Sequence, residues 1–251
     1  MGPRMPAQPT APIVADTVAS ARHLGPRTQV PHELPSIEGD SRMQVAVLGL
    51  GRFGRQLSLT LVELGHDVLA VDQNSAEVQI VADEVARAAS ADITDLEALR
   101  ELGAAGMDIG VVATADLEAS VLGTMNLISL GVETVFAKAS SERHATILQR
   151  IGAHRVVQPE RDGGERLAHL LLARTAQDYM TLSPDYGIGV YAPPDRLVGE
   201  TLDDLDQAGT LRLLMVVRGQ EVQLNPVRSQ RIEAGDLLVF AGSDADLTKG
   251  L

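Results

Sequence analysis

From Met43 onward, short apolar runs alternate with stretches whose apolar residues recur at helical spacing. Val45 to Leu50 predicts a strand, and Phe53 to Leu64 predicts a helix ending at Gly65, a natural carboxy-terminal stop. Val68 to Val71 predicts a second strand. Asn74-Ser-Ala-Glu77 has capping-box spacing and opens a helix to about Val85. Ala86 to Ala89 reads as a weak third strand, and Asp95 to Leu102 as a helix closed near Gly103. Ile109 to Ala113 and Thr134 to Ala137 are the fourth and fifth strands, around a helix from Leu117 to Leu130 stopped by Gly131. Ser141 to Ile151 is helical up to Gly152, and Arg155 to Val157 is a sixth short strand before Pro159-Glu160. Alternation of this kind with short connections requires parallel strands covered on both faces.

The pattern then changes. Gly164 to Met180 predicts one long amphipathic helix with Leu167, Leu170, Leu171, Ala173 and Ala176 on its apolar stripe. Beyond it, Gly189 to Tyr191, Leu213 to Val217, Glu221 to Leu224 and Leu237 to Ala241 predict short strands, with Leu202 to Ala208 as a short helix. The expected fold class is α/β: a six-stranded parallel Rossmann N-lobe with a crossover helix over residues 43–180, and a small α+β C-lobe over 181–251. A C-lobe of that size is marginal alone and gains stability by pairing with another copy. Residues 1–42 hold much of the chain's proline, lack apolar periodicity, and are expected to be a disordered tail.

Charge and composition narrow the function. A formal charge of -13 makes non-specific nucleic-acid binding unfavourable. There is no cysteine, so disulfides and thiolate metal sites are excluded. Neither a membrane-spanning apolar run nor a secretory signal is present, and the cytoplasm is the expected location.

The chemistry concentrates at Gly49-Leu-Gly-Arg-Phe-Gly54, a Gly-x-Gly-x-x-Gly turn between a strand and a helix. Gly49 permits the tight turn, Gly51 lets the backbone approach a phosphate, and Gly54 lets the helix pack against the strand. Phe53 lies in the same loop. Asp72 ends the second strand, where a ribose diol needs a carboxylate and where an acid disfavours a 2′-phosphate. Arg52 offers a forked cation to a terminal phosphate. Asp92 and Thr94 after strand three, and Ala113, Thr114 and Ala115 after strand four, fall at the ligand edge of the sheet. Lys138, one of only two lysines, ends strand five at the same edge and is expected near phosphate. The histidines lack metal-ligand spacing and read as surface or packing residues, and no nucleophile elbow is present.

These motifs, in this order, carry a family resemblance. GLGRFG, VLAVD at Val68 to Asp72, IGAHRVVQPE at Ile151 to Glu160, LVGETLDDLD at Leu197 to Asp206, RGQEVQLNP at Arg218 to Pro226 and AGDLLVFAG at Ala234 to Gly242 resemble the RCK family, regulators of potassium conductance of the KtrA/TrkA type. The resemblance implies a cytoplasmic subunit on the inner face of the cell membrane that binds ATP or ADP in its N-lobe. It further implies homodimers assembled as an octameric ring beneath a potassium-translocating membrane protein. Residue by residue, it implies Asn74 beside the adenosine, Arg52 at the outermost phosphate, and Glu160 where Mg2+ or Ca2+ joins the terminal phosphates. The region of Leu224-Asn225-Pro226 corresponds to a cyclic di-AMP site at the C-lobe dimer interface of related proteins. Three alternatives stay open: an NAD(H)-binding regulator, a cyclic di-AMP-sensing regulator of another cation transporter, and an NAD-dependent dehydrogenase. The last is disfavoured because residues 181–251 contain no histidine and a single lysine at the extreme end, so the expectation is a protein that is not an enzyme.

Overall fold

A computed structural model of the protein describes residues 42–205 and 211–250. The tail expected to be disordered lies, up to Ser41, outside the described residues, as does the end of the helix expected over 202–208. The N-lobe strands are β1 (Gln44–Leu48), β2 (Asp67–Asp72), β3 (Arg87–Ser90), β4 (Ile109–Val112), β5 (Thr134–Lys138) and β6 (Arg155–Val157). They form one parallel sheet in the order β3-β2-β1-β4-β5-β6. The intervening helices are α1 (Arg52–Glu63), α2 (Ser75–Val81), α3 (Leu96–Glu101), α4 (Leu117–Ser129) and α5 (Glu142–Arg150).

Successive residues of each strand face opposite layers. Ala46, Leu48, Leu69 and Val71 pack with Leu99, Leu127 and Leu148 of α3, α4 and α5. Val45, Val47, Val68 and Ala70 pack instead with Leu57 and Leu61 of α1 and Val81 of α2. Because both faces are covered, β1 and β2 carry uninterrupted apolar runs, and each fully buried aliphatic side chain contributes roughly 1.5–3 kcal/mol. β1 pairs with β2 on one side and β4 on the other, so the chain winds outward in both directions from β1. The crevice outside the carboxyl ends of β1 and β4 is therefore the switch point where such sheets bind ligands.

The long helix expected over 164–180 is corrected by the structure. α6 runs Pro159–Leu172, and Ala176–Ser183 is a strand, β7, antiparallel to β8 (Tyr186–Tyr191). Ala173 leaves helical geometry at φ -94° and ψ 95°, and Tyr179 then turns inward on an extended backbone while its neighbour Met180 faces out. Leu170, Ala173 and Ala176 still share one core, which is why a helical period fitted them. The second sheet thus begins at Ala176, not at 181.

That sheet has the order β10-β9-β11-β8-β7, with β9 (Leu211–Arg218), β10 (Glu221–Leu224) and β11 (Leu237–Ser243) completing it. α7 (Leu202–Leu205) and α8 (Asp244–Lys249), the latter capped by Ser243 and not anticipated from sequence, cover its core of Tyr179, Tyr191, Val216, Leu238 and Phe240. Asp236, buried in the turn before β11, accepts from Arg218 Nε at 2.7 Å and Nη2 at 2.9 Å. α6 is tied to this sheet by Arg166 to Asp178 at 2.6 Å, by Thr181 Oγ1 donating to Glu165 at 3.0 Å, and by His169 stacked on Tyr179 at 3.7 Å. The Tyr179 hydroxyl donates to Asp244 at 2.5 Å, and burial, aided by that carboxylate, pushes its pKa up to about 12.

Candidate functional site

The glycine loop connects β1 to α1, and each glycine meets a different constraint. Gly49 sits at φ +98°, and a Cβ there would lie 2.9 Å from the Thr114 backbone nitrogen. A Cβ at Gly54 would lie 1.9 Å from the Gly49 carbonyl oxygen, so α1 can approach the turn only with hydrogen in that place. Gly51 has nothing within 4 Å of its Cβ direction; the loop is open there. Gly51 also stands at the N-cap of α1 with no side-chain cap, which leaves the first-turn N–H groups without a capping side chain, an arrangement suited to an anion.

Asp72 braces this loop. Its Oδ2 accepts from the Leu50 N–H at 2.6 Å and its Oδ1 from the Asn74 N–H at 2.8 Å. Asn74 caps α2, accepting from the Ala76 N–H at 3.0 Å. Asp92 accepts from both the N–H and the hydroxyl of Thr94, at 2.9 and 2.8 Å, and these bonds, the backbone one first, hold its carboxyl below the usual range.

Two concavities meet at Gly49, Asp72 and Thr114. The narrower, about 450 Å³, is lined by Asp72, Asp92, Thr94, Asp116 and Glu118 among others, and is strongly acidic. The wider, about 790 Å³, holds Arg52, Lys138 and Glu160 beside Gly51, Phe53, Asn74, Glu77 and the Ala113-Thr114-Ala115 turn. Every N-lobe candidate residue read from the sequence lines one lobe or the other except Gly54, which is buried beneath the turn. The acidic lobe suits hydroxyl and amine donors of a nucleoside; the lobe with Arg52 and Lys138 suits phosphate.

Lys138 is buried, and its ammonium lies 2.6 Å from Glu160 Oε1. That hydrogen bond, and then the charges of Lys138 and Arg52, hold the Glu160 carboxyl below its ordinary range. Arg52 itself is exposed on the first turn of α1. Among the described residues no group of three or more His, Cys, Asp or Glu side chains converges as a metal centre. His144 is buried between α4 and α5, its Nε2 3.1 Å from Ser120 Oγ, and burial depresses its pKa.

Sequence reasoning missed Gln73, Ile93, Asp116, Glu118 and Ala119 in the narrow lobe and Glu77 in the wide one. Asp116 was within reach: it caps α4, accepting from the Ala119 N–H at 2.8 Å, and a capping acid directly after strand four must sit at the ligand edge.

Comparison with known proteins agrees with this architecture. Residues 45–159 match the TrkA-N domain and residues 190–249 the TrkA-C domain. The chain is 35% identical over 211 residues to Ktr system potassium uptake protein C of Bacillus subtilis (strain 168), covering 83% of this chain and 96% of that protein. It belongs to the RCK family, of the KtrA/TrkA type. Another RCK relative, Ktr system potassium uptake protein A of Vibrio alginolyticus, is also 35% identical over 211 residues, again covering 83% and 96%. The RCK fold extends to a structure of the GsuK channel bound to NAD, with TM-score 0.56 and 19% identity over 86% of this chain and 39% of the channel chain. The chain thus spans less than half the length of that channel protein.

Proposed function

We propose that this protein is a cytoplasmic, nucleotide-binding regulatory subunit that gates a potassium-translocating membrane protein, held at the inner face of the cell membrane. The observation that carries this reading is the two-lobed cleft at the switch point, with an acidic lobe beside Asp72 and two cations, Arg52 and Lys138, in the other. Gly49 and Gly54 fill the turn completely while Gly51 leaves it open, which is the fit a nucleotide diphosphate requires.

ATP and ADP are the ligands this charge arrangement favours, since exchanging one for the other changes only what Arg52 and Lys138 meet. A charge-assisted hydrogen bond supplies about 1.5–3 kcal/mol, whereas a near-complete switch needs about 5.5 kcal/mol of differential binding. One such contact falls short of that figure, whereas several coupled subunits reach it. A homodimer repeated to an octameric ring is therefore part of the proposal. Glu160 is a single carboxylate already paired with Lys138, so Mg2+ or Ca2+ beside it would draw its remaining oxygens from the nucleotide phosphates and solvent.

The site is read as binding and not catalytic. A second reading, NAD(H) as the resident ligand, is favoured by Asp72, which suits any adenosine ribose. Cyclic di-AMP at the C-lobe would meet exposed Leu224 and Val227 flanking Asn225, which sits at φ +52°. The test is the mass of the nucleotide retained on purification, followed by calorimetry with ATP, ADP and NAD. Potassium flux through the co-expressed membrane subunit should then differ between ATP and ADP. Flux indifferent to nucleotide would overturn the gating proposal.

A further inference from the structure

The capping box that the spacing of Asn74 and Glu77 predicts is only half closed. Asn74 caps α2 through the Ala76 N–H, but the return bond from Glu77 to the Asn74 N–H is missing, because Asp72 Oδ1 already holds that N–H at 2.8 Å. Two carboxylates thus stand around one backbone N–H, Asp72 bonded to it and Glu77 displaced from it. The displaced side chain lines the wide lobe together with Asp72 and Asn74. Its Oε2 is shut off from solvent and meets no hydrogen-bond donor among the described residues. The guanidinium of Arg55, near the start of α1, lies 3.8 Å from that oxygen, beyond hydrogen-bond reach. An acceptor left in this state costs free energy until a donor arrives.

The acid that ends strand two in such a fold meets the ribose 2′-hydroxyl, and sites that take a 2′-phosphate instead use an arginine nearby. Both possibilities are built in here, and one is blocked. Glu77 offers a hydroxyl an empty acceptor beside Asp72, while Arg55, the guanidinium suited to a 2′-phosphate, already faces Glu77. A phosphate arriving there would add its charge to two carboxylates. We propose that Glu77 is a second ribose acid and a specificity-determining residue: it accepts the 2′-hydroxyl alongside Asp72, and its charge and its hold on Arg55 bar nucleotides that carry a 2′-phosphate. The inference rests on the nucleotide reading and deepens it, because it states which adenine nucleotides the cleft admits.

The full chain and its Glu77→Gln variant should be titrated in calorimetry with ADP and with 2′-phospho-ADP, which differ only in the 2′-phosphate. The wild type should favour ADP by at least about tenfold, the scale of one close like-charge contact. Glu77→Gln removes the charge and releases Arg55, so the preference should narrow by about tenfold. Adding Arg55→Gln to that variant should restore most of it. The Asn74 cap and the Asp72 bonds are untouched by Glu77→Gln, so the melting temperature of the unliganded protein should be nearly unchanged. A preference that Glu77→Gln leaves as it was, or a wild type that binds both compounds equally, overturns the role of Glu77 and spares the nucleotide reading. Failure of the wild type to bind ADP overturns both.

Discussion

The Asp72 carboxylate accepts the Leu50 backbone N–H at 2.6 Å, so the acid that closes strand two holds the glycine loop after strand one in place. Its other oxygen accepts from the Asn74 N–H at 2.8 Å. Loop support and the proposed ribose recognition therefore fall on one side chain. Asp72→Ala should weaken ATP, ADP and NAD together in calorimetry and lower stability by about 1–2 kcal/mol, since two N–H groups lose their acceptor. Asp72→Asn keeps one acceptor oxygen but turns an NH2 donor toward the other N–H, so it should recover at most part of the stability and little of the binding. Affinity unchanged for all three ligands would remove Asp72 from the site.

Two glycines in one turn should respond to alanine in opposite ways. At Gly54 the added methyl would stand 1.9 Å from the Gly49 carbonyl, and Gly54→Ala should cost about 3 kcal/mol in denaturant unfolding. At Gly51 there is open space, so Gly51→Ala should leave the melting temperature of the unliganded protein nearly unchanged while reducing nucleotide affinity. Equal effects of the two substitutions on stability would contradict this division.

Arg52 is exposed at the start of α1 and lines the wide lobe. Arg52→Ala should reduce ATP affinity by roughly tenfold and ADP affinity much less, consistent with one charge-assisted contact to the outermost phosphate. An equal loss for both nucleotides would place the guanidinium at the inner phosphates.

The buried Asp236 makes the second sheet acid-sensitive. Burial alone would raise its pKa, but the Arg218 guanidinium and the Glu233 N–H outweigh burial and hold the carboxyl below its usual value. A depressed folded pKa means that the stabilisation is complete above the unfolded carboxyl pKa, about 3.9, and is lost as pH falls through the lower folded value. Thermal melts between pH 5 and pH 2 should show a steep loss that Asp236→Asn flattens, the variant being weaker at neutral pH by about 3 kcal/mol. A variant with an unaltered acid profile would show that the pair is inert.

Leu167, Leu171 and Leu172 of α6 and Met180 and Leu182 of β7 are all exposed in the single chain. Light scattering should accordingly give a mass of several subunits, unchanged between ATP and ADP, while solution scattering reports a change of shape. A strict monomer at micromolar concentration with either nucleotide would defeat the ring.

The parts of this fold that were legible are those where one physical constraint acts alone. β1 and β2 are covered on both faces, so their apolar runs admit only one reading, and the glycine turn after β1 fixes where α1 must start. The α6–β7 junction was misread because Ala173 and Ala176 satisfy a helical period and the break at Arg174-Thr175 carries neither glycine nor proline. Site residues drawn from the motif and strand ends came together in the cleft. The pairing of Lys138 with Glu160 was not legible, since nothing local marks two side chains from different elements as partners. Glu118 and Gln73 escaped for a similar reason: their place depends on how α4 and the β2–α2 turn lean over the sheet.

The acidic lobe formed by Asp72, Asp92, Asp116 and Glu118 has a kinetic consequence. A protein of formal charge -13 repels an approaching nucleotide polyanion at long range, and the attraction of Arg52 and Lys138 takes over only within the last few ångströms. Dissolved salt shortens the repulsive reach to about 10 Å or less while acting weakly on the close contacts. Nucleotide association should therefore speed up as monovalent salt is added, the reverse of ordinary electrostatic steering. Potassium, the ion whose passage the ring is proposed to govern, would then also set how quickly the ring exchanges its ligand.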